Sequence, residues 1–295
     1  MKGDVAGYDL VSAKSLGELL ALLDAGTHRP LAGGTDVMVV LAMGKLTPSR
    51  FVDISRVAEL RGIDVAGSAI TLGALTTYTD VQSHPVLRAE FPMLCQAGSE
   101  TGGVAIQNRG TLGGNIANAS PAADSPPALL AYGAEIELVS SKGSRWVAYD
   151  SFHTGYKTMI LAPSEIIARI RLPRTTAERV HFYRKVGPRK AQAISKVCFA
   201  ACADIDRVAR RVSHVRIALG GVAPIIPRCT RTEVAVESAL AAADGIRLAK
   251  SALEGEIAPI DDVRSNARYR RKVAENLLVD FMLRLRITCG IGSAS

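Results

Sequence analysis

The chain has 295 residues, 48% of them hydrophobic, and carries a formal net charge of +8 at pH 7. This length and apolar content can bury a large core in two compact domains or in one domain with an appendage, which excludes a disordered or fibrous protein. The longest apolar runs, such as residues 37–43, are far shorter than the ~20 residues that span a bilayer. Residues 1–10 lack the apolar segment of a secretion signal. We therefore expect a cytoplasmic protein without a membrane span.

The basic charge permits a nucleic-acid ligand, so its distribution matters. The densest basic stretches are residues 207–216 and 264–272. Neither contains the several aromatic residues of a surface that stacks single-stranded bases. Solvated faces of a turn and a helix, or contact with an acidic partner subunit, account for the same charge. We expect no nucleic-acid partner, and keep a basic scaffold or nucleic-acid-binding protein as an alternative.

The N-terminal part shows alternating helix and strand patterns. Residues 15–25 place leucines at helical spacing and end before a glycine, which predicts a short amphipathic helix. The helical pattern over residues 81–98 is interrupted by Pro85 and Pro92. Residues 126–132 predict a helix with proline in its first turn. Strands are predicted over residues 51–54, 69–74, 135–139 and 165–172.

A polar segment at residues 173–178 predicts a domain boundary. Beyond it, residues 196–205 and 212–219 predict two strands joined by a polar turn, and residues 233–243 and 270–285 predict helices. The C-terminal third is therefore predicted as antiparallel strands packed under helices, an α+β domain.

Two glycine-rich stretches, residues 31–36 and 110–115, are candidate anion-binding turns. Glycine allows backbone N–H groups to approach an anion closely. Neither stretch matches the P-loop or the dinucleotide-binding fingerprint. The pair Gly33-Gly34 by itself is also typical of an ordinary structural turn.

Together with their neighbours, the two stretches resemble a known family. Residues 31–36 (LAGGTD) and 108–124 (NRGTLGGNIANASPAAD) are similar to the two FAD-binding segments of molybdenum hydroxylase flavin subunits, as in the xanthine dehydrogenase family and the carbon monoxide dehydrogenase flavoprotein. Residues 152–155, 165–173 and 185–194 match as well, so the resemblance covers nearly the whole chain.

The resemblance implies an α+β fold in two domains. The first, residues 1–174, is an FAD-binding domain of the p-cresol methylhydroxylase type with α+β subdomains at about 1–58 and 59–174. The second, residues 178–288, is a small α+β domain with a three-stranded antiparallel sheet and helices.

The resemblance also implies the cofactor-binding residues. The first segment wraps the FAD pyrophosphate with its N–H groups, and the second forms the opposite wall of the cleft. Asp124 accepts hydrogen bonds from ribose or ribityl hydroxyls, with a helix N-cap as the alternative role. The residues of the two segments are Leu31, Ala32, Gly33, Gly34, Thr35, Asp36, Thr111, Gly114, Asn115 and Asn118.

Near the flavin ring, the resemblance implies an apolar contact from Ile167 and two cations, Lys185 and Arg189, in an adjacent loop. Such a cation stabilises the reduced flavin, although a solvated loop charge is an equal alternative. Many relatives carry an arginine where this chain has Gln107, so this chain departs from the family by lacking that cation. Thr35 occupies the position where several covalent flavoproteins have histidine, so we expect non-covalent FAD.

No metal site or catalytic residue is predicted on this chain. Cys198 and Cys202 share a face of one predicted strand but lie ~13 Å apart, too far to hold one cluster, so we expect them to pack in the core. The five histidines are scattered without metal-ligand spacing.

The resemblance therefore implies an oxidoreductase subunit with FAD as its own cofactor. In the family, a large subunit holds molybdopterin and a small subunit holds two [2Fe–2S] clusters. The flavin takes electrons singly and passes them in pairs to NAD⁺ or another acceptor. Xanthine or hypoxanthine is the preferred substrate on overall resemblance only. The alternative is a stand-alone FAD-dependent oxidase or dehydrogenase with its own substrate pocket.

Overall fold

The computed structural model describes residue 5 and residues 7–47, 49–189 and 192–291. In these ranges the α-helices are α1 (Leu16–Asp24), α2 (Val37–Ala42), α3 (Tyr78–Ser83), α4 (Pro85–Glu90), α5 (Pro92–Glu100), α6 (Val104–Gln107), α7 (Leu112–Ala117), α8 (Ser125–Ala131), α9 (Thr230–Ala239), α10 (Gly245–Glu254) and α11 (Ala267–Thr288). The strands are β1 (Asp9–Ser12), β2 (Arg29–Leu31), β3 (Arg50–Asp53), β4 (Ile63–Val65), β5 (Ala69–Gly73), β6 (Glu135–Ser140), β7 (Gly143–Ala148), β8 (His153–Gly155), β9 (Thr158–Met159), β10 (Ile166–Pro173), β11 (Arg179–Val186), β12 (Val197–Asp206) and β13 (Arg211–Gly220).

The first part of the chain forms a small parallel sheet in the order β1-β3-β2. Helix α1 buries Leu19, Leu20 and Leu23, and its first turn is capped by Ser15, whose side chain accepts a hydrogen bond from the Glu18 N–H. These leucines share a core with Ile166 of β10, so the small sheet packs on the next layer. Residues 1–4 and 6 of the predicted first subdomain lie outside the described residues.

The middle of the chain forms an antiparallel sheet in the order β4-β5-β10-β6-β7. The predicted interruptions of the helical pattern at Pro85 and Pro92 are confirmed, because each proline begins a new helix. A proline lacks the N–H that would continue the preceding helix. Helices α3, α5, α7 and α8 share one large apolar core with this sheet.

The C-terminal part forms the predicted three-stranded antiparallel sheet, β11-β12-β13, with helices α9, α10 and α11. The predicted helix over residues 233–243 begins earlier and ends at Ala239. The chain turns back there so closely that a Cβ on Gly245 would lie 1.8 Å from the Ala239 carbonyl oxygen. The α+β class is confirmed.

Strand β12 joins the two domains because both of its faces are buried. Cys198 and Cys202 face the core of the first domain, whereas Phe199 and Ala201 face the helices of the second. This period of two is the ordinary geometry of a strand. Both thiols are fully buried, which confirms the predicted packing role. None of the helices in the described ranges is long and apolar enough to cross a membrane.

Candidate functional site

The two glycine-rich segments meet at one cleft of about 430 Å³, a volume typical of small-molecule sites. The cleft lies between the turn that follows β2, the start of α7 and the first residues of β10. It brings together eleven of the thirteen residues predicted for the cofactor site: Leu31, Ala32, Gly33, Gly34, Thr35, Asp36, Thr111, Gly114, Asn115, Asn118 and Ile167.

The first segment presents a run of backbone donors. Among the described residues, none accepts a hydrogen bond from the five N–H groups of residues 32–36. Gly34 has a left-handed backbone with φ of 74°, a conformation that glycine adopts at little cost. Consecutive N–H groups in a turn form a concavity suited to an anion. The segment is therefore chemically suited to the pyrophosphate of a dinucleotide.

The two segments contact each other through their backbones. A Cβ on Gly33 would lie 1.8 Å from the carbonyl oxygen of Arg109, so glycine is required at this position. The Arg109 Nε in turn donates to the Gly33 carbonyl oxygen at 3.2 Å. The presence of glycine at position 33 thus reflects close packing of two loops, which the sequence pattern did not indicate.

In the second segment, most backbone N–H groups already donate to other protein atoms. The N–H of Leu112 donates to the Thr76 carbonyl at 3.0 Å, and that of Gly113 donates to the Ala74 carbonyl at 2.9 Å. The Thr111 hydroxyl caps α7 by accepting from the Gly114 N–H at 3.1 Å. Most backbone donors of this wall are therefore already used, and the wall offers mainly side chains and small-residue surface.

Asn118 connects the second segment to the first. Its Nδ2 donates to Asp36 Oδ1 at 3.1 Å, and its carbonyl and side-chain oxygens both accept from Lys157 Nζ. Asn115 is held by Ser125, whose hydroxyl donates to Asn115 Oδ1 at 2.7 Å. The polar side chains of this wall are thus held in place by hydrogen bonds.

Asp124 and Lys185, which the resemblance placed at the cofactor, lie outside the residues that line the cleft. Lys185 Nζ is 2.7 Å from Asp124 Oδ2, and the two side chains are only 4% and 10% exposed. The Ser195 hydroxyl donates to the other Asp124 oxygen at 2.6 Å. The structure therefore places both residues in a buried ion pair between the two domains.

Two expectations about these residues need correction. Lys185 is part of strand β11 and not of a loop, because its backbone pairs with Cys198 of β12. Asp124 is the N-cap residue of α8, yet its side chain makes no capping hydrogen bond. Its carboxylate is already occupied by Lys185 and Ser195. Burial raises the pKa of Asp124, and the hydrogen bonds and charge from Lys185 act in the opposite direction.

Ile167 and Lys185, expected on the same rim, occupy different surroundings. Ile167 is buried on β10 and lines the cleft, whereas Lys185 is in the ion pair between the domains.

The two other residues considered near the flavin ring, Arg189 and Gln107, contact protein atoms. Arg189 donates to the carbonyl oxygen of Gln192 from Nε and Nη2. Residues 190 and 191 of the matched segment 185–194 lie outside the described residues. Gln107 donates from Nε2 to the Ser99 carbonyl and accepts from Gln82, which is a structural role beside the cleft.

The cleft contains residues that the sequence analysis did not predict. Tyr78 is 3% exposed, and burial raises its pKa above the ordinary value, so it is a neutral phenol in the cleft wall. A signal for its position exists in the sequence, since Thr77 and Asp80 form a capping box that begins α3. The apolar end of the cleft is built by Ile54, Leu75, Met159, Leu161 and Ile166.

The described residues contain no group of three or more His, Cys, Asp or Glu side chains that could hold a metal ion. The chemistry of the cleft is therefore that of its backbone donors, amide side chains and apolar surface. These features match the pyrophosphate, hydroxyls and aromatic rings of a flavin dinucleotide.

Residues 6–175 match the family described as the FAD binding domain in molybdopterin dehydrogenase. Residues 182–285 match the carbon monoxide dehydrogenase flavoprotein C-terminal domain. These two matches cover most of the chain and are separated by residues 176–181.

Curated relatives and a solved structure agree with these matches. The carbon monoxide dehydrogenase medium chain of Hydrogenophaga pseudoflava is 30% identical over 92% of this chain and 94% of its own. A putative xanthine dehydrogenase FAD-binding subunit of Escherichia coli is 32% identical over 93% and 94%. A chain of the Hydrogenophaga carbon monoxide dehydrogenase structure superposes with a TM-score of 0.89 at 29% identity, covering 94% of this chain and 98% of that one, which confirms the fold. The chain therefore belongs to the family of FAD-binding subunits of the molybdopterin dehydrogenases.

Proposed function

We propose that this chain carries FAD in an electron-transfer position within a heteromeric molybdenum hydroxylase. A large subunit would hold the molybdopterin, and a small subunit would deliver electrons from [2Fe–2S] clusters. The observation that carries the proposal is the cleft in which both glycine-rich segments meet, and in which the N–H groups of residues 32–36 have no acceptor among the described residues.

Each part of the cleft has a role in holding the cofactor. The N–H groups of residues 32–36 would bind the pyrophosphate, because such donors in a turn stabilise negative charge. Asn115 and Asn118 would bind hydroxyl groups, and the apolar end near Ile167 would exclude water from a ring. When bound, FAD supplies the exchange between single-electron and paired-electron transfer.

Asp124 and Lys185 would support the cofactor site from the domain interface. Their ion pair fixes the first turn of α8 against β11. Tyr183 adds a hydrogen bond from its hydroxyl to the Asp124 carbonyl at 3.1 Å. We propose that the pair holds the second domain against α8 beside the cleft, and that direct contact of either side chain with the cofactor would require it to leave this arrangement.

Two further parts of the proposal concern the electron acceptor and the oxidised substrate. We propose NAD⁺ as the acceptor and xanthine as the first substrate to test. The relatives differ in what their names say they oxidise, including carbon monoxide, xanthine and glyceraldehyde. The site that selects the substrate would lie on the molybdopterin subunit. The five cysteines are free thiols, which suits a reducing compartment such as the cytoplasm.

Reconstitution tests the proposed function. The isolated chain with FAD should show no change in flavin absorbance when xanthine is added. Addition of the molybdopterin and iron–sulfur subunits encoded by neighbouring genes should restore reduction by substrate. NADH added to the isolated chain tests the acceptor, because reverse electron transfer would reduce the flavin. Bleaching by a small organic substrate without partners would instead indicate a stand-alone oxidase or dehydrogenase.

The attachment of FAD is tested separately. The residue after the paired glycines is Thr35, whose hydroxyl is a poor nucleophile, so we expect non-covalent FAD. Acid precipitation should release all of the flavin into the supernatant. Flavin that stays with the washed pellet would contradict this expectation.

A further inference from the structure

The hairpin formed by β8 and β9 places a lysine beside the cofactor cleft. Lys157 lies in the turn between the two strands and has a left-handed backbone, with φ of 58°. Residues other than glycine adopt this conformation rarely, and it persists where surrounding contacts hold it. The Lys157 side chain makes such contacts, with Asn118.

The Lys157 ammonium binds both oxygens of one residue of the second glycine-rich segment. Its Nζ donates to the Asn118 carbonyl at 2.7 Å and to Asn118 Oδ1 at 2.6 Å. The Asn118 amide then donates to Asp36 Oδ1 at 3.1 Å. These three side chains, which we call the clasp, link the hairpin, the second segment and the first segment around one side of the cleft.

The charges near the clasp favour an anionic occupant. Arg29 and Asp36 both line the cleft, and Asp36 is the last residue of the turn of backbone donors at residues 32–36. Burial lowers the pKa of Lys157, Asp36 raises it, and the positive charge of Arg29 lowers it further. Lys157 therefore lies within electrostatic range of both Asp36 and Arg29. The pyrophosphate of FAD is doubly anionic and suits this arrangement.

We propose that Lys157 is a cofactor-retaining residue that acts through Asn118. By holding Asn118 against Asp36, it closes the cleft over FAD, so that release of the cofactor requires the clasp to open. The proposal rests on FAD binding in this cleft and adds a residue of the hairpin to the site. Lys157 is a positioning residue, because it acts through its hydrogen bonds to Asn118.

The test compares FAD release from three proteins. Lys157→Met keeps the length and apolar stem of the side chain but removes the ammonium. It should speed FAD dissociation, followed by the rise of flavin fluorescence on dilution, by about tenfold or more. Lys142→Met is the matched control, because Lys142 is an exposed lysine in the β6–β7 turn. It should release FAD at the wild-type rate. Melting of the FAD-free proteins shows whether each variant folds.

A double variant separates the clasp from an independent charge effect. Asn118→Ala should also speed release, and Lys157→Met with Asn118→Ala should be no faster than the faster single variant, because both break the same contact. Lys157→Arg keeps the cation and should lie closer to wild type than Lys157→Met, which provides a second readout if Lys157→Met folds poorly.

The proposal is overturned if Lys157→Met releases FAD at the rate of Lys142→Met, or if the two single effects multiply in the double variant. Failure of the wild-type chain to bind FAD would contradict the proposed function itself. The two failures are therefore distinguishable.

Discussion

The two glycine-rich segments of the cleft have similar compositions and opposite uses of their backbones. The first segment has five consecutive N–H groups that find no acceptor among the described residues. In the second segment, the N–H groups of Leu112 and Gly113 donate to carbonyl oxygens of the neighbouring segment, residues 74–76. The first segment is therefore a donor surface for a ligand, and the second is a packed wall. Glycine content alone does not distinguish a binding turn from a packing contact.

The reasons for glycine differ between the positions. Gly34 has positive φ, and the nearest atoms to a Cβ there are 3.7 Å away, so its requirement is conformational. A Cβ added at Gly113 would lie 2.6 Å from the Ala74 Cβ, so glycine is required there because no space is left for a side chain. Gly33 lies where the two segments touch, because a Cβ added there would be 1.8 Å from the Arg109 carbonyl oxygen.

The largest effect is expected for Gly33→Ala. The added methyl would lie 1.8 Å from the Arg109 carbonyl oxygen, so the two segments must separate. We expect FAD binding to be lost and the free energy of unfolding to fall by at least the ~3 kcal/mol upper range of ordinary overpacking. Flavin occupancy after purification and a denaturant titration measure the two effects.

Gly34→Ala is the control for this variant. It introduces no clash and costs only the left-handed conformation, about 1–2 kcal/mol. If Gly34→Ala destabilises the protein as much as Gly33→Ala, the close contact between the segments is not the reason for the first glycine.

Asp124→Ala should be the next largest change and tests the end of the second segment. It leaves the ammonium of Lys185, whose side chain is 4% exposed, without its carboxylate. Loss of one partner of a buried pair costs about 3–5 kcal/mol. We therefore expect the FAD-free protein to be destabilised, which a denaturant titration of apoprotein detects.

Asp150→Ala provides the comparison, because Asp150 is 43% exposed in its side chain and lies 3.7 Å from Arg228. Its cost should stay below about 1 kcal/mol. An Asp124→Ala apoprotein as stable as wild type, with FAD affinity alone reduced, would assign the carboxylate to the cofactor instead.

Gly113→Ala should cost less, about 1–3 kcal/mol, because its added Cβ would lie 2.6 Å from the Ala74 Cβ and 2.8 Å from the Ala74 carbonyl oxygen, so the chain at residue 74 must shift. The loss should appear in thermal melting of the FAD-free protein. Gly17→Ala in α1 is a matched change whose added Cβ would meet only the Ser15 hydroxyl, at 3.9 Å, and it should not destabilise the protein. Equal stability of Gly113→Ala and wild type would show that the second wall is not tightly packed.

The smallest effect is expected for Thr111→Val, which removes the N-cap of α7 at nearly constant volume. A lost cap costs about 1 kcal/mol. We expect the same loss with and without FAD, since the hydroxyl accepts from the Gly114 N–H in the structure. A greater loss in the FAD-bound protein would show that the hydroxyl also donates to the cofactor.

The sequence by itself determined the class of fold and most of the cleft. Periodicity predicted strand β12 and the division of the helices at Pro85 and Pro92, because those signals are local. The resemblance predicted residues 31–36, Thr111, Gly114, Asn115, Asn118 and Ile167, which the structure brings to one cleft. Motifs of this kind are contiguous, so they can be recognised before the fold is known.

Only the tertiary structure decided how distant residues meet. It paired Asp124 with Lys185, 61 positions away, and set Lys157 against Asn118, 39 positions away. It also showed that Gly33 faces Arg109 and that the N–H groups of residues 112–115 in the second segment are already bonded. The physical reason is that a charge or an N–H group is satisfied by whichever partner the packing of the sheets brings within hydrogen-bonding distance, and neither composition nor spacing along the chain contains that distance.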